Sequence, residues 1–276
     1  MPLKYSVLPN RGVLKISGED RVDFLQGLIS NDVTKATDTT GIYAAFLTPQ
    51  GKFLCDFFIL ASQNDECLLI DMAADALPAF KKKLTMYKLR ADVKIEDISE
   101  GYDILAAFGD KIKLIPGIYQ DPRLEEAGYR LFTAKGQPLA DAEEVDFETY
   151  DLHRIKLGLG DGARDMIVEK SILLEYGFDE LHGVDWDKGC YMGQELTART
   201  KYRALIKKRL VPVEVAGELP ESGTEITAGD KTVGEVRSGT DKMALALLKV
   251  DALDQELNAN GAILRVCLPD WFSLQA

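Results

Sequence analysis

The sequence predicts an α+β fold that ends in a small β-barrel or sandwich, and three observations carry that expectation. Up to residue 108, strand-like runs joined by hairpin turns are followed by single helical stretches. After Arg209 the chain becomes a series of short strands at near-regular spacing. The 276 residues are 46% hydrophobic, enough for about two domains of roughly 150 residues and a core that needs no disulfide or metal.

Val13–Ser17 alternates as a strand, and Gly18-Glu19-Asp20 opens a helix whose Val22, Leu25, Leu28 and Ile29 share one face. Tyr43–Thr48 and Phe53–Ser62 are strands separated by the turn Pro49-Gln50-Gly51-Lys52. Gln63-Asn64-Asp65 turns into a strand at Glu66–Ala73. A helix follows with Leu77, Phe80, Leu84 and Tyr87 on one side and Lys81-Lys82-Lys83 mostly on the other. Val93–Ile98 and Tyr102–Phe108 are two more strands, after which Pro116, Pro122 and Pro138 break the pattern. Val145–Leu157 is helical, and Gly158–Arg164 reads as a loop. The last strands are Leu210–Val215, Glu225–Ala228, Lys231–Arg237, Ala244–Val250 and Ile263–Leu268. A domain boundary is placed near residue 207, dividing 1–206 from 207–276.

Charge and cysteines narrow the function. A 28% charged fraction rules out global disorder, and a net charge of −12 argues against nonspecific nucleic-acid binding. From Asp185 to Arg209 the balance reverses, with seven basic residues against three acids, or +4. Such runs are ordinarily solvated surface, or else they set a positive field around residue 190. No apolar run approaches the roughly 20 residues of a membrane-spanning helix. The start, MPLKYSVLPNRG, lacks a secretory h-region, so a soluble cytosolic protein is expected. Cys55, Cys67, Cys190 and Cys267 are scattered, and His153 and His182 add no ligand spacing. Reduced thiols are therefore expected, with no resident metal.

Asp56 stands out inside an apolar strand, where alternation places it with Leu54 and Phe58; a buried carboxylate there needs partners. The most informative stretch is Lys188-Gly189-Cys190-Tyr191-Met192-Gly193-Gln194-Glu195. The glycines allow close backbone approach, and a helix over Gln194–Thr200 would pair Glu195 with Arg199. Cys190 would then sit ahead of a helix N-terminus and beside Lys188, both of which favour a thiolate. A buried, inert cysteine is the commoner state of a free thiol.

This octapeptide resembles the signature of the YgfZ-type folate-binding proteins. They are paralogues of the glycine-cleavage aminomethyltransferase (T-protein), and their mitochondrial relatives assist iron–sulfur protein maturation. Gly18–Val33, Leu47–Asp56, Arg154–Gly158 and the C-terminal strands fit the same order, so the resemblance covers nearly the whole chain. It implies an aminomethyltransferase-like folate-binding fold: two interlaced α+β lobes plus a C-terminal β-barrel around a central tetrahydrofolate pocket. Glu175 matches the carboxylate that anchors the pterin, with Lys188, Tyr191, Gln194 and Arg199 as further cofactor-binding residues. Asp56 would face the one-carbon end. Cys190 would act at the rim as a transient thiolate ligand or a redox-sensitive nucleophile. The T-protein carries an Asp-Asp pair where this chain has Cys55-Asp56, and it generally lacks the cysteine at 190. YgfZ-type sequences often follow the motif with Arg-Gly, here Arg203-Ala204.

The expected function is a tetrahydrofolate-binding accessory protein for iron–sulfur protein assembly or repair, with assembly or client proteins as partners. Any effect on tRNA modification would be indirect. The alternatives are a folate-dependent aminomethyl- or methyltransferase that relies on Asp56, and a tRNA-binding factor acting through Lys201–Arg209.

Overall fold

The computed structural model describes residues 2–62, 66–203 and 206–273. The turn at Gln63-Asn64-Asp65 and the Ala204 departure lie outside them.

The chain opens with β1 (Lys4–Val7), β2 (Arg11–Ser17), α1 (Arg21–Gln26), β3 (Ile42–Leu47), β4 (Phe53–Ser62) and β5 (Cys67–Ala73). Next come α2 (Leu77–Lys88), β6 (Lys94–Asp97), β7 (Tyr102–Phe108), β8 (Ile118–Gln120), β9 (Tyr129–Ala134) and β10 (Glu143–Glu144). Helices α3 (Phe147–Lys156), α4 (Gly162–Asp165) and α5 (Gln194–Tyr202) precede β11 (Lys208–Ala216), β12 (Glu225–Ala228) and β13 (Lys231–Thr240). The last strands are β14 (Met243–Lys249), β15 (Leu257–Ala259) and β16 (Ala262–Val266).

One sheet has the order β3-β4-β5-β2-β6, and a second has β10-β1-β7-β9-β8. Because β1 belongs to the second sheet, the whole first sheet is inserted between β1 and β7, and the two lobes interlace. The last six strands close a barrel in the order β11-β14-β13-β12-β15-β16.

Side-chain alternation explains how the three units fuse. In β4, Phe57 and Ile59 pack under α1 and α2, while Phe58 and Leu60 face the centre of the molecule. In β11, Val211, Val213 and Val215 fill the barrel, and Leu210 turns outward to the same centre with Leu245 and Leu247 of β14. The barrel therefore uses its outer face as a third wall.

Several expectations change. The loop predicted at Gly158–Arg164 contains the start of α4, capped by the Asp161 side chain, which accepts from the Ala163 amide. Strands β1, β8, β9, β10 and β15 escape the sequence reading because most are two to four residues long, too short to show a period. Leu54 does not share the face of Asp56 and Phe58. The register of β3 against β4 shifts between Phe46 and Leu47, sending Phe53 to the centre and Leu54 to the α2 side.

A buried ion cluster joins the two sheets. Asp71 of β5 is 0% exposed and accepts from Arg11 Nε of β2 (2.6 Å) and from Arg130 Nε of β9 (3.0 Å). Burial alone would raise its pKa, but the two guanidinium groups hold it below the ordinary carboxylate value. Arg154 of α3 ties in the barrel: it donates to Asp151 (2.6 Å), to Asp165 (3.2 Å) and to Ser238 Oγ of β13 (2.8 Å).

Asp71→Asn leaves two buried guanidinium groups short of a charge and is expected to lower unfolding free energy by about 3–5 kcal/mol, measured by urea titration. The stabilisation from Asp71 is present above its unfolded pKa near 3.8 and is lost as pH falls below it, so the variant should show a smaller acid-induced loss.

Candidate functional site

Residues 182–192 carry the cysteine motif and are fastened along a short segment of the first lobe. Ser30 Oγ donates to the Gly183 carbonyl (2.6 Å) and accepts from the Ala45 amide (2.8 Å). Asn31 Nδ2 donates to the carbonyls of Tyr43 and His182, each at 2.7 Å. The Asp185 amide reaches the Ser30 carbonyl (3.0 Å), and the Met192 amide reaches the Gly27 carbonyl (3.1 Å). Lys35 forms an ion pair with Asp185. Ser30 and Asn31 are buried, so their polar atoms must be paired, and the motif segment supplies partners.

Lys188 completes this fastening. Its ammonium donates to the carbonyls of Ile29 (2.7 Å) and Asn31 (2.6 Å) and lies 5.3 Å from the Tyr191 ring centre. Burial lowers its pKa to about 8, against the opposing pull of Asp32 and Asp185. Lys188 thus positions the backbone ahead of Cys190. Tyr191 is buried, and burial pushes its hydroxyl up to about 12, with Thr197 opposing.

Cys190 itself is exposed, while Cys55 and Cys67 are buried. Burial, with Asp56 adding to it, pushes the Cys55 thiol well above its usual value and makes it inert. Gln194 opens α5: its Oε1 accepts from the Tyr191 amide (2.9 Å), and its Nε2 lies 3.7 Å from Cys190 Sγ. Gly193 has φ +84, and a Cβ there would sit 2.5 Å from the Thr48 carbonyl oxygen, so only glycine lets α5 start against the β3–β4 hairpin. Around Gly189 a Cβ would meet nothing within 4 Å, which leaves the approach to Cys190 open.

The expected Glu195–Arg199 pair is not formed; both side chains are exposed, and no ion pair joins them. Part of the positive segment is internally committed instead. Lys201 pairs with Asp179 (2.9 Å) and sits 4.1 Å from the Trp186 ring centre, and Arg209 pairs with Glu180 (2.6 Å). Arg199, Arg203 and Lys207 remain exposed beside the motif.

Among the described residues, neither Asp56 nor Glu175 bonds to Cys190, and each has surroundings of its own. Asp56 is 7% exposed and accepts from Tyr43 OH (2.9 Å). Burial raises its pKa; Arg11 pulls it down and Asp161 pushes it up. Gly162 of α4 packs directly on it, since a Cβ there would fall 1.9 Å from Asp56 Oδ1. Asp56 borders a central cavity of about 30 Å³, walled by Phe58 and by Arg11, Arg123, Arg130 and Arg154. Glu175 is half-buried outside that wall; burial raises its pKa, and Lys208 and Lys52 lower it. The structure therefore gathers Lys188, Cys190, Tyr191 and Gln194, and leaves Asp56 and Glu175 as separate groups.

The residues missed by sequence reading are Arg11, Asp71, Asp121, Arg123, Arg130 and Arg154. Asp71 carried the signal that singled out Asp56, an acid inside an apolar strand (Leu69-Ile70-Asp71-Met72). Arg11 and Arg130 had none, because their shared partner Asp71 is distant in sequence.

Comparison with known proteins places this geometry in context. Residues 10–135 match the GCVT N-terminal domain family, and residues 207–274 match the CAF17 C-terminal beta-barrel domain family. The chain is 31% identical over 299 residues to the mitochondrial iron-sulfur cluster assembly factor IBA57 of Homo sapiens, covering 96% of this chain and 84% of that one. It is 40% identical over 238 residues to the mitochondrial IBA57 homolog of Mycosarcoma maydis, covering 79% of this chain but 59% of that relative's length. The glycine cleavage system aminomethyltransferase T of Bartonella henselae superposes with a TM-score of 0.75 at 13% identity, over 99% of this chain and 87% of that one, a likeness of fold. The relatives are mitochondrial by name, which overturns the cytosolic expectation: a missing h-region speaks only to the secretory route. Among the described residues, no helix is long and apolar enough to cross a membrane.

Lys188→Met should loosen the motif without unfolding the lobes, with amide exchange over residues 189–192 at least about tenfold faster and circular dichroism unchanged. The unfolded lysine keeps its proton to about pH 10.5 and the folded one only to about 8, so this residue adds stability as pH rises between them. That slope should disappear in the variant.

Proposed function

The chain belongs to the IBA57 family of iron–sulfur cluster assembly factors, and from that premise we propose that it acts in cluster assembly or repair through the Cys190 thiolate. The observation that carries this reading is an exposed cysteine at the tip of a segment otherwise bonded down on both sides. Iron–sulfur clusters are normally held by four thiolates. Among the described residues no group of three or more His, Cys, Asp and Glu side chains could hold a metal. Cys190 would therefore supply one ligand to a cluster whose remaining ligands come from an assembly or client protein, with the cluster as cargo. Gln194 Nε2 beside the sulfur and Lys188 on the backbone hold the thiolate's position, and the open ground around Gly189 admits the partner.

Within the family, the motif at 188–195 supports the accessory role of YgfZ-type proteins, in which the activity of iron–sulfur enzymes is sustained. A tRNA-modification effect would then run through such an enzyme. Exposed Arg199, Arg203 and Lys207 would steer an acidic protein partner towards Cys190.

Tetrahydrofolate, the cofactor implied by the T-protein resemblance, would need Asp56 and Glu175 on one pocket of substantial size. The residues present do not fit it: the cavity at Asp56 is about 30 Å³, and Glu175 does not line it. For the same reason the aminomethyltransferase reading lacks room for donor and acceptor, and no step is routed through folate.

Cys190→Ala should fold as the wild type does, because the side chain is exposed, yet fail to restore iron–sulfur enzyme activity in cells lacking the native counterpart. Full restoration would overturn the role of the thiolate. Cys267→Ala, at a half-exposed thiol away from the motif, should restore activity fully.

A further inference from the structure

The T-protein-like fold leads to the expectation of a central folate pocket, and the residues at that centre point elsewhere. We propose that the junction of the three lobes is a packed structural hub that excludes tetrahydrofolate. Three observations carry this.

The first is volume. Sites for small organic ligands enclose about 300–1,000 Å³. The central cavity offers about 30 Å³, room for one or two waters.

The second is what fills the remaining space. A flat pteridine ring gains binding energy by stacking on an aromatic face. Phe58 lines the centre together with Phe147 and Tyr150, and its own face is already covered by guanidinium groups, Arg130 at 3.9 Å, Arg123 at 4.9 Å and Arg11 at 5.8 Å from the ring centre. Tyr43 is stacked on Phe178 at 4.8 Å, and Arg123 also lies 5.4 Å from its centre.

The third is that these arginines are not free to swing aside. Arg130 is held by Asp71, which also holds Arg11. Arg123 is bound by both oxygens of buried Asp121, at 2.9 and 2.8 Å, and donates to the Gly160 carbonyl at 3.3 Å. Withdrawing either would strip a partner from a carboxylate that is itself buried. A second cavity, of about 220 Å³, lies on the far side of Asp56 and is lined by Cys55, Ala76, Ala163 and Met166. It is smaller than a ligand pocket of the usual size, and its donors and acceptors are only Asp56, Asp75 and backbone.

The hub thus does for this chain what a filled pocket would do, locking the lobes so that the Cys190 segment has a rigid base. This closure and the Cys190 role can fail separately, since folate binding at the centre would leave the thiolate's function untouched.

The test is calorimetric titration of the full chain with tetrahydrofolate under anaerobic conditions, alongside Asp56→Asn, whose side chain borders both cavities. The expected result is no saturable binding by the wild type up to about 1 mM. Saturable binding that Asp56→Asn leaves unchanged would place folate away from both cavities at Asp56 and agree with a packed centre. Saturable binding that Asp56→Asn weakens by about tenfold or more would overturn the proposal.

Discussion

The grip of Asp71 on Arg11 and Arg130 is the contact on which the rest of the structure depends. It joins β5 and β2 of one sheet to β9 of the other around a carboxylate that is fully buried. A buried carboxylate with one guanidinium would be a weak device, because desolvation offsets much of the attraction. With two, the carboxylate stays ionised, and Arg130 sits over the Phe58 ring as part of the central core. Arg123 on Asp121 and Arg154 on Asp151, Asp165 and Ser238 repeat the arrangement towards α4 and the barrel. Interlaced lobes and barrel therefore share one centre, and that centre is rigid and full.

On this base the motif can be both fixed and exposed. Ser30 and Asn31 need hydrogen-bond partners, and the backbone at His182–Asp185 provides them. Lys188 closes the run by capping two carbonyls that would otherwise face a half-buried gap. Cys190 follows two residues later, free of such contacts except the weak approach of Gln194. A cysteine held in this way loses little freedom when a partner binds, which favours association.

Much of the fold was legible in the sequence, and the reasons are local. Phe53–Ser62, Tyr102–Phe108 and Glu225–Ala228 were read at their observed limits because clear turns bound them. The interlacing was not legible from pattern, since β1 gives no sign that its partner is β7, a hundred residues away. It came only through resemblance. At the candidate site, Cys190 and the helix after Gly193 were legible from glycine spacing and composition. The purpose of Lys188 was not, because nothing in Asp187-Lys188-Gly189 says that the amine turns back to residues 29 and 31. Arg11 and Arg130 were invisible for the same reason: ion pairs between residues 60 and 59 positions apart leave no local trace.

The central claim is that Cys190 meets an iron–sulfur cluster presented by another protein. Mass spectrometry of iodoacetamide labelling at each cysteine, with and without a cluster-loaded assembly protein, tests it most directly. Rapid labelling of Cys190 in the free chain is expected, with protection of that one thiol when the cluster is present and no labelling of buried Cys55 in either case. Equal labelling of Cys190 with and without the cluster would contradict it.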